Sequence, residues 1–410
     1  MFRLLLFLSL SLAGGQNNPQ TASLGASGLQ ALDRGDYAAA EQIFSKLVAS
    51  DPKDYSTLFN LALAETALKK DTAAIEHYKQ TLAVKPNLYE AELNLSILYL
   101  RNHQPVDALP LLKDAAQQKG KEARPKRYLA DSLLATGDLD AAVNTYREAL
   151  ALDPKLAGAE LGLGQSLLRQ DKLDDALPHY RQAAQLDPNL RSFLLEIAAA
   201  CSKTNRRNEA IALLKEFPDN AGAREELGRL YLANNQGQEA VEEFQAAVSM
   251  SPTPANRLAL AAAYLKNNQP KLAAPILEEA LAASPNDYDL RMAVGRLYRD
   301  QHNYKTAAAQ FLAAASSKPD SVEAWNEAAG AFIMAEQYGQ ALAALDKIHN
   351  LNADKPGNLY FRAVVLDKLH QIKPALASYQ EFLRISEGKF PDQEFIARQR
   401  SRLLEKEANR

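Results

Sequence analysis

The sequence has little cysteine, few aromatic residues and no excess of charge of one sign. Its 410 residues include a single cysteine, Cys201, which excludes an intramolecular disulfide and a cysteine-based metal site. Only 7% of the residues are aromatic whereas 47% are hydrophobic, and the apolar residues are mostly Ala and Leu, which favour helices over sheets. With a formal net charge of -3 there is no basic field, so we expect no nucleic-acid partner.

The beginning of the chain has the pattern of a secretory signal peptide. Arg3 precedes an uncharged run that ends in the small residues Ala13, Gly14 and Gly15. The run is about half as long as a membrane-spanning helix requires, so an uncleaved anchor is the alternative rather than the prediction. We predict a signal peptide over residues 1–15, cleavage after Gly15 and no integral membrane segment afterwards. Residues 16–27, rich in Gln, Asn, Ser, Ala and Gly, are expected to form a loose lead-in that overlaps the first repeat.

Proline recurs at intervals of 33 or 34 residues along much of the chain. Pro52 and Pro86 are 34 residues apart, and so are Pro154 and Pro188. A proline at this spacing ends one helix and starts the next unit. Units aligned on these prolines number eleven, and they begin at residues 21, 55, 89, 123, 157, 191, 221, 254, 288, 322 and 356.

Three positions of the unit keep one kind of residue in all eleven copies. The eighth position is always Gly, Ala or Ser, and the twenty-fourth is always Leu, Phe or Tyr. Small residues at the eighth and twentieth positions predict two closely crossing helices, and the large residue one turn later is expected to fill the space between one helix pair and the next. The twentieth position is alanine throughout: Ala40, Ala74, Ala108, Ala142, Ala176, Ala210, Ala240, Ala273, Ala307, Ala341 and Ala375.

The turn between the two helices of a unit also has a typical residue. The fifteenth position holds glycine or histidine in five units, and such a residue suits a left-handed turn conformation. These five residues are Gly35, His103, Gly137, His302 and His370.

This pattern resembles the tetratricopeptide repeat, and the resemblance covers about residues 21–389. It implies an all-α fold, a right-handed superhelical solenoid of about eleven helix-turn-helix repeats. A last helix from Pro391, within residues 390–410, is expected to cap the stack with Phe395, Ile396, Leu403 and Leu404 on its packing side. The seventh unit carries the signature most fully, with Leu227, Gly228, Tyr231, Ala240, Phe244 and Pro252.

The sixth unit is short, which suggests a boundary between two arrays. The segment Phe217–Asn220 closes its second helix early. We therefore predict an N-terminal array of six repeats over residues 21–220 and a C-terminal array of five repeats over residues 221–389.

The sequence carries no catalytic signature, so we predict a non-enzymatic protein with no catalytic residues and no cofactor. The glycines of Gly162-Leu163-Gly164 are interpreted as packing residues rather than as part of a dinucleotide loop. The six histidines do not cluster, which predicts no metal site, and Cys201 falls on a core position of its repeat.

The resemblance implies that the first helix of each repeat lines a concave groove for peptides or partner helices. Three successive repeats match in part the arrangement with which some family members bind a terminal carboxylate; a solvated polar face without a single ligand is the alternative. The polar groove positions, predicted to bind a partner, are Asn60, Asn94, Arg124, Arg127, Asp131, Gln165, Arg229, Arg296 and Arg299.

The function predicted from these features is an exported interaction scaffold that binds other proteins in the bacterial periplasm or cell envelope. One alternative is an accessory subunit that binds a glycan or small molecule. That activity calls for exposed aromatic platforms, and the groove positions offer few, chiefly Phe59 and Tyr128. A second alternative is self-assembly through stacked ends or an exchanged cap helix.

Overall fold

The computed structural model describes residues 19–408, and within that range the chain forms 23 α-helices, one short 3-10 helix and no strand. The predicted signal peptide lies outside the described residues. Of the loose lead-in expected over residues 16–27, the described residues 19–27 instead lie in the first helix. No helix in the described part is long and apolar enough to cross a membrane.

The helices follow the repeat units. Those of the first six repeats are α1 (Pro19–Asp33), α2 (Tyr37–Ser50), α3 (Tyr55–Ala67), α4 (Asp71–Val84), α5 (Tyr89–Arg101), α6 (Pro105–Gln118), α7 (Ala123–Thr136), α8 (Leu139–Leu152), α9 (Ala157–Arg169), α10 (Leu173–Leu186), α11 (Leu194–Lys203) and α12 (Arg207–Leu214). Those of the last five repeats and the final helix are α13 (Ala221–Ala233), α14 (Gly237–Met250), α15 (Pro254–Lys266), α16 (Pro270–Ala283), α17 (Tyr288–Asp300), α18 (Tyr304–Ser317), α19 (Val322–Met334), α20 (Tyr338–Asn350), α21 (Pro356–Lys368), α22 (Ile372–Ser386) and α23 (Pro391–Ala408). The 3-10 helix spans Pro188–Phe193 and precedes α11.

The chain divides into two compact units, one through Ala210 and one from Ile211. In the first unit, α1 to α10 pack in sequence order, each against its neighbours. In the second unit, α13 to α23 do the same. Each unit is therefore a stack of helix pairs held by neighbour contacts, which confirms the predicted all-α repeat fold. The array boundary placed at residue 220 stays a prediction.

The repeated positions form the core of both units. The alanine at the twentieth position has no exposed surface in any of the eleven repeats. The large residue at the twenty-fourth position is at most 4% exposed in every repeat. Both columns are thus buried as the sequence predicts.

The large residue packs against the small residue at the eighth position of its own repeat, in addition to the expected contact with the next repeat. A Cβ added at Gly164 would lie 2.6 Å from Cδ2 of Tyr180, and one added at Gly295 would lie 2.6 Å from Cε1 of Phe311. The eighth and twenty-fourth positions of one unit are therefore in direct contact. The large residue also reaches the next repeat: Tyr146 lies against Gly162, and the hydroxyls of Tyr78 and Tyr180 form hydrogen bonds with Asn94 and Glu196.

The turn position is left-handed in all eleven repeats, which confirms and extends the prediction. Gly35 and Gly137 have φ values of 76° and 88°, and the non-glycine residues lie between 56° and 62°. The remaining nine residues are Lys69, His103, Asp171, Asn205, Asn235, Asn268, His302, Glu336 and His370.

The final helix packs with a different face from the expected one. Its buried residues are Glu394, Ala397, Ser401 and Leu404, which recur at helical spacing and lie against α22. Leu404 is buried as expected, but the other three large residues face outward. The outward residues are Phe395, Ile396 and Leu403.

Filling the contact between the eighth and twenty-fourth positions should destabilise the second unit. Gly295→Ala places a methyl group against the buried ring of Phe311, and we expect the free energy of unfolding to fall by about 1–3 kcal/mol. Gly330→Ala is the matched control, because a Cβ there meets nothing within 4 Å and alanine favours a helix. Urea unfolding followed by circular dichroism should separate the two; equal midpoints would contradict the packing described.

A histidine links the two helices of the second repeat. Nδ1 of His77 on α4 lies 2.8 Å from Oε2 of Glu65 on α3, and the Glu65 side chain is 6% exposed. The hydrogen bond to Glu65 raises the pKa of His77 above its ordinary value and outweighs the opposing effect of burial.

This pair should make stability depend on pH. The protonated imidazole is favoured in the folded state, so its contribution is complete below about pH 6.5 and is lost as the pH rises through the raised pKa. His77→Gln should therefore be less stable than the wild type at pH 5.5, with the gap closing by pH 8.5. Urea titrations at both pH values test this. A stability difference between the two proteins that is the same at pH 5.5 and pH 8.5 would rule out a contribution from protonation of His77.

Candidate functional site

One pocket in the first unit brings four of the nine predicted residues together. It has a volume of about 870 Å³ and includes Arg124, Arg127, Asp131 and Gln165 in its wall. We call it the arginine pocket. The first helices of repeats four and five, α7 and α9, supply these four side chains, and the 3-10 helix closes one side with Phe193.

An ion pair lies at the centre of the arginine pocket. Nη2 of Arg127 is 3.1 Å from Oδ2 of Asp131, one helical turn away on α7. The hydroxyl of Tyr146 donates a hydrogen bond of 2.7 Å to Oδ1 of Asp131. The Arg127 guanidinium also stacks over Tyr128, with Cζ 4.6 Å from the ring centroid. The carboxylate and the two aromatic rings therefore fix the orientation of this arginine.

Two glycines on α9 make room for this cluster. A Cβ at Gly158 would lie 3.2 Å from Cζ of Arg127, and a Cβ at Gly162 would lie 2.2 Å from Cζ of Tyr146. A larger residue at either position would displace the guanidinium or the phenol ring. The packing interpretation of Gly162 is consistent with this contact, and the residue also shapes the pocket.

The cluster combines charge with restricted access to water. Burial raises the pKa of the Asp131 carboxyl, although Arg127 and Tyr146 act in the opposite direction. Burial also raises the pKa of Tyr146, and the neighbouring Asp131 adds to this effect. Nε of Arg127 is buried and has no hydrogen-bond partner among the described residues. Oδ2 of Asp131 is likewise buried without a hydrogen-bond partner, and the Arg127 side chain as a whole is 25% exposed, so a ligand would meet this arginine through its exposed part.

The rest of the pocket wall is largely apolar. Leu156 and Leu190 are partly exposed there, beside Phe193. Arg169 also lines the pocket, and its Nη1 donates a hydrogen bond of 3.1 Å to the carbonyl oxygen of Leu134. The wall also includes the acidic residues Glu122, Asp153 and Asp187, so the pocket offers charged groups of both signs next to apolar surface. Sequence reasoning missed Arg169 and Phe193; the signal available for Arg169 was its place at the end of the same first helix as Gln165.

The two asparagines predicted for the groove lie in the interior. Asn60 has no exposed surface, and Asn94 is 6% exposed with Nδ2 donating a hydrogen bond of 3.2 Å to the hydroxyl of Tyr78. Their neighbours on the first helices of repeats two and three are apolar and equally buried, as Phe59 and Leu93 show. Both amide side chains therefore belong to the interior of the first unit rather than to an exposed surface.

The three predicted arginines of the second unit are each paired with carboxylates. Arg229 binds Glu225 and Glu226 within its own helix, at 2.8 and 2.9 Å. Arg296 lies 2.6 Å from Glu323.

Arg299 lines a second pocket of about 590 Å³ and is held 2.6 Å from Glu327. Exposed Met334 and Phe361 line the same pocket, and neither was predicted. Their signal in the sequence was a large apolar residue on a first helix outside the repeat's core columns.

The described residues contain no group of three or more His, Cys, Asp or Glu side chains placed to hold a metal ion. Cys201 is 1% exposed, which agrees with its expected core position. Burial raises the pKa of its thiol, so the reactive thiolate is disfavoured.

The fold and the eleven-fold packing pattern define a helical-repeat protein of the kind that presents an extended binding surface. Family comparison identifies the repeat: tetratricopeptide repeat models match residues 26–89, 93–157, 127–191 and 204–255, and a second model matches residues 264–329. The chain belongs to the tetratricopeptide repeat family. Its fold and family are those of protein-interaction scaffolds.

Two curated proteins share part of the array. Cellulose synthase 1 operon protein C of Komagataeibacter xylinus is 31% identical over 147 residues, which are 36% of this chain and 9% of that protein. Photosystem I assembly protein Ycf3 of Cyanophora paradoxa is 36% identical over 75 residues, 18% of this chain and 43% of that protein. The chain thus spans less than half the length of either relative.

Solved structures of MamA resemble part of the chain. MamA 41-end from Desulfovibrio magneticus RS-1 has a TM-score of 0.40 and 20% identity, over 42% of this chain and 97% of that one. Another MamA crystal structure has a TM-score of 0.38 and 20% identity, over 41% of this chain and 92% of that one. These scores are too low to support an inference about function.

Removing one polar group of the Arg127–Asp131–Tyr146 cluster should destabilise the protein more than removing all three. Arg127→Met leaves the carboxylate of Asp131 without its cation, and we expect a loss of about 1–3 kcal/mol in the free energy of unfolding. The triple variant R127M/D131L/Y146F replaces every polar group of the cluster, so a smaller loss is expected. Urea unfolding measures both, and a triple variant less stable than R127M would overturn this account.

Proposed function

We propose that this protein is a non-enzymatic interaction scaffold whose arginine pocket binds a peptide segment of a partner protein. The observation that carries the proposal is the pocket itself, about 870 Å³ with a guanidinium held at its centre. A volume of this size falls within the range of small-ligand sites and accommodates a few side chains of a peptide.

The chemistry of the wall favours a segment in which an acidic residue stands next to an apolar one. The exposed quarter of the Arg127 side chain carries a positive charge that suits a carboxylate, and a charge-assisted hydrogen bond is stronger than a neutral one. Arg124 adds charge at the same wall. The partly exposed Leu190 and Phe193 provide the apolar surface next to these donors.

The orientation of Arg127 supports this assignment. The guanidinium is fixed by Asp131 and by Tyr128 before any ligand arrives, so little conformational entropy is lost on binding. A pocket prepared in this way binds with more specificity than a mobile surface arginine.

Glycan binding receives less support. Sugar recognition uses exposed aromatic faces, whereas Tyr128 is 5% exposed and Phe59 is fully buried. A peptide ligand needs no such platform and is therefore preferred.

The proposed setting is the bacterial periplasm or cell envelope. The support is the signal-peptide pattern of residues 1–15, with Arg3 before the uncharged run. The partial match to a cellulose synthase operon protein is compatible with that setting. Amino-terminal sequencing of protein from the periplasmic fraction should find a chain that begins at Gln16.

Peptide binding can be tested from inside the pocket. A photo-crosslinking amino acid at Leu156 should capture the bound segment of the partner, which mass spectrometry then identifies. The identified segment is synthesised and its Kd measured by calorimetry. We expect Arg124→Glu to weaken binding about tenfold, since one charge-assisted contact is replaced by repulsion.

The matched control is Arg147→Glu on α8. Arg147 belongs to the same repeat, is exposed and lies outside the pocket, so the variant has the same net charge as R124E. R147E should bind like the wild type. Equal Kd values for all three proteins, or no crosslinked segment, would reject the arginine pocket as the binding site.

A further inference from the structure

The last helix carries an apolar stripe on the side that faces away from the repeats. Phe395, Ile396 and Leu403 are 64%, 46% and 47% exposed, while Ala397 and Leu404 on the opposite side are buried. Three large apolar side chains exposed on one side of a helix form a surface that a partner can cover.

The inner side of α23 is firmly attached, so the stripe keeps its orientation. Both oxygens of Asp367 on α21 accept hydrogen bonds of 2.7 Å from Arg400. Glu394 accepts a 2.7 Å hydrogen bond from the backbone nitrogen of Gly388. Turning the helix to bury the stripe would break these contacts.

Two opposite charges stand at equal distances from the middle residue of the outward side. At 100° per residue, Gln399 lies opposite the buried side of α23. An acidic residue, Asp392, stands seven residues before it and a basic residue, Lys406, stands seven after it, and all three lie on one line of the helix. The large apolar residues occupy the space between the two charges on both sides of Gln399.

We propose that two copies of this protein associate through α23, with the two helices antiparallel about a two-fold axis at Gln399. In that arrangement Ile396 of one copy lies opposite Leu403 of the second copy. Asp392 lies opposite Lys406 of the second copy, and each pair occurs twice because the interface is isologous.

The charges select this direction of association. A parallel arrangement would place Asp392 against Asp392 and Lys406 against Lys406, so like charges would meet at both ends. Phe395 also gains from the antiparallel arrangement, because it lies opposite Arg402 of the second copy, where a cation can stack on its ring. A second copy thus supplies both the apolar and the charged partners that the stripe lacks.

The association should appear in analytical ultracentrifugation of the purified protein between about 1 and 200 µM, since a small interface of this kind gives a micromolar dimer. Ile396→Glu places a charge in the apolar centre and should weaken the dimer at least about tenfold. Val106→Glu is the control: Val106 is 70% exposed on α6, and its variant should dimerise like the wild type. A protein that stays monomeric throughout, or equal dimerisation of I396E and V106E, would overturn the proposal.

Exchanging the charges of Asp392 and Lys406 tests whether the two helices associate in an antiparallel direction. Asp392→Lys should weaken the dimer about fivefold by placing like charges together, and the double variant D392K/K406D should restore it to within about twofold. Circular dichroism of each variant confirms that α23 remains folded, because both changes also oppose the helix dipole. A double variant as weak as D392K, with its helix intact, would contradict the pairing.

Crosslinking gives an independent measure of direction. A mixture of the D392C and K406C variants should form a disulfide dimer between unlike chains, whereas either variant alone should not. Cys201 is buried and does not compete for the oxidant. Crosslinking of D392C with itself, and none in the mixture, would show a parallel arrangement and refute the antiparallel one.

Discussion

The structure depends on one repeated contact, in which the large residue at the twenty-fourth position of a repeat rests on the small residue at the eighth. The ring carbons approach so closely that even a methyl group at Gly164 or Gly295 would overlap them. An alanine without exposed surface accompanies this contact in every repeat. The distance between the two helices of a pair is therefore set by side-chain volume at these positions.

In repeats four and five, the faces of the first helices outside the core positions are available for other chemistry. Tyr146 shows how the two roles meet: its ring occupies the core position of repeat four, while its hydroxyl binds Asp131 in the arginine pocket. A core residue thereby fixes the carboxylate that orients Arg127. The stability of repeat four and the geometry of the candidate site are consequently coupled through one side chain.

The sequence predicted the features that all repeats share. It did not predict the features that depend on the surroundings of one repeat. Burial of the alanine column, the turn conformation and the helix pairs follow from period and residue size, which every copy shares. The environment of a polar side chain depends on neighbours from other repeats, so the interior position of Asn60 and the carboxylate partners of Arg296 were not predictable. The final helix was misread because four of its large residues were assigned to one face. Its contact with α22 instead selected Ala397 and Ser401 together with Leu404.

The left-handed turn within each repeat is a site at which the array can gain stability. Nine of the eleven turn residues adopt a left-handed conformation without being glycine, so nine turns carry some backbone strain that glycine would relieve. The strain is smaller where asparagine or aspartate occupies the position and larger at Lys69 or Glu336. Because each repeat contacts only its neighbours, relief at separate turns would add up almost independently. The thermal tolerance of such a chain can therefore evolve at its turns, in small steps, and only His302 among these turn residues also lines one of the two pockets.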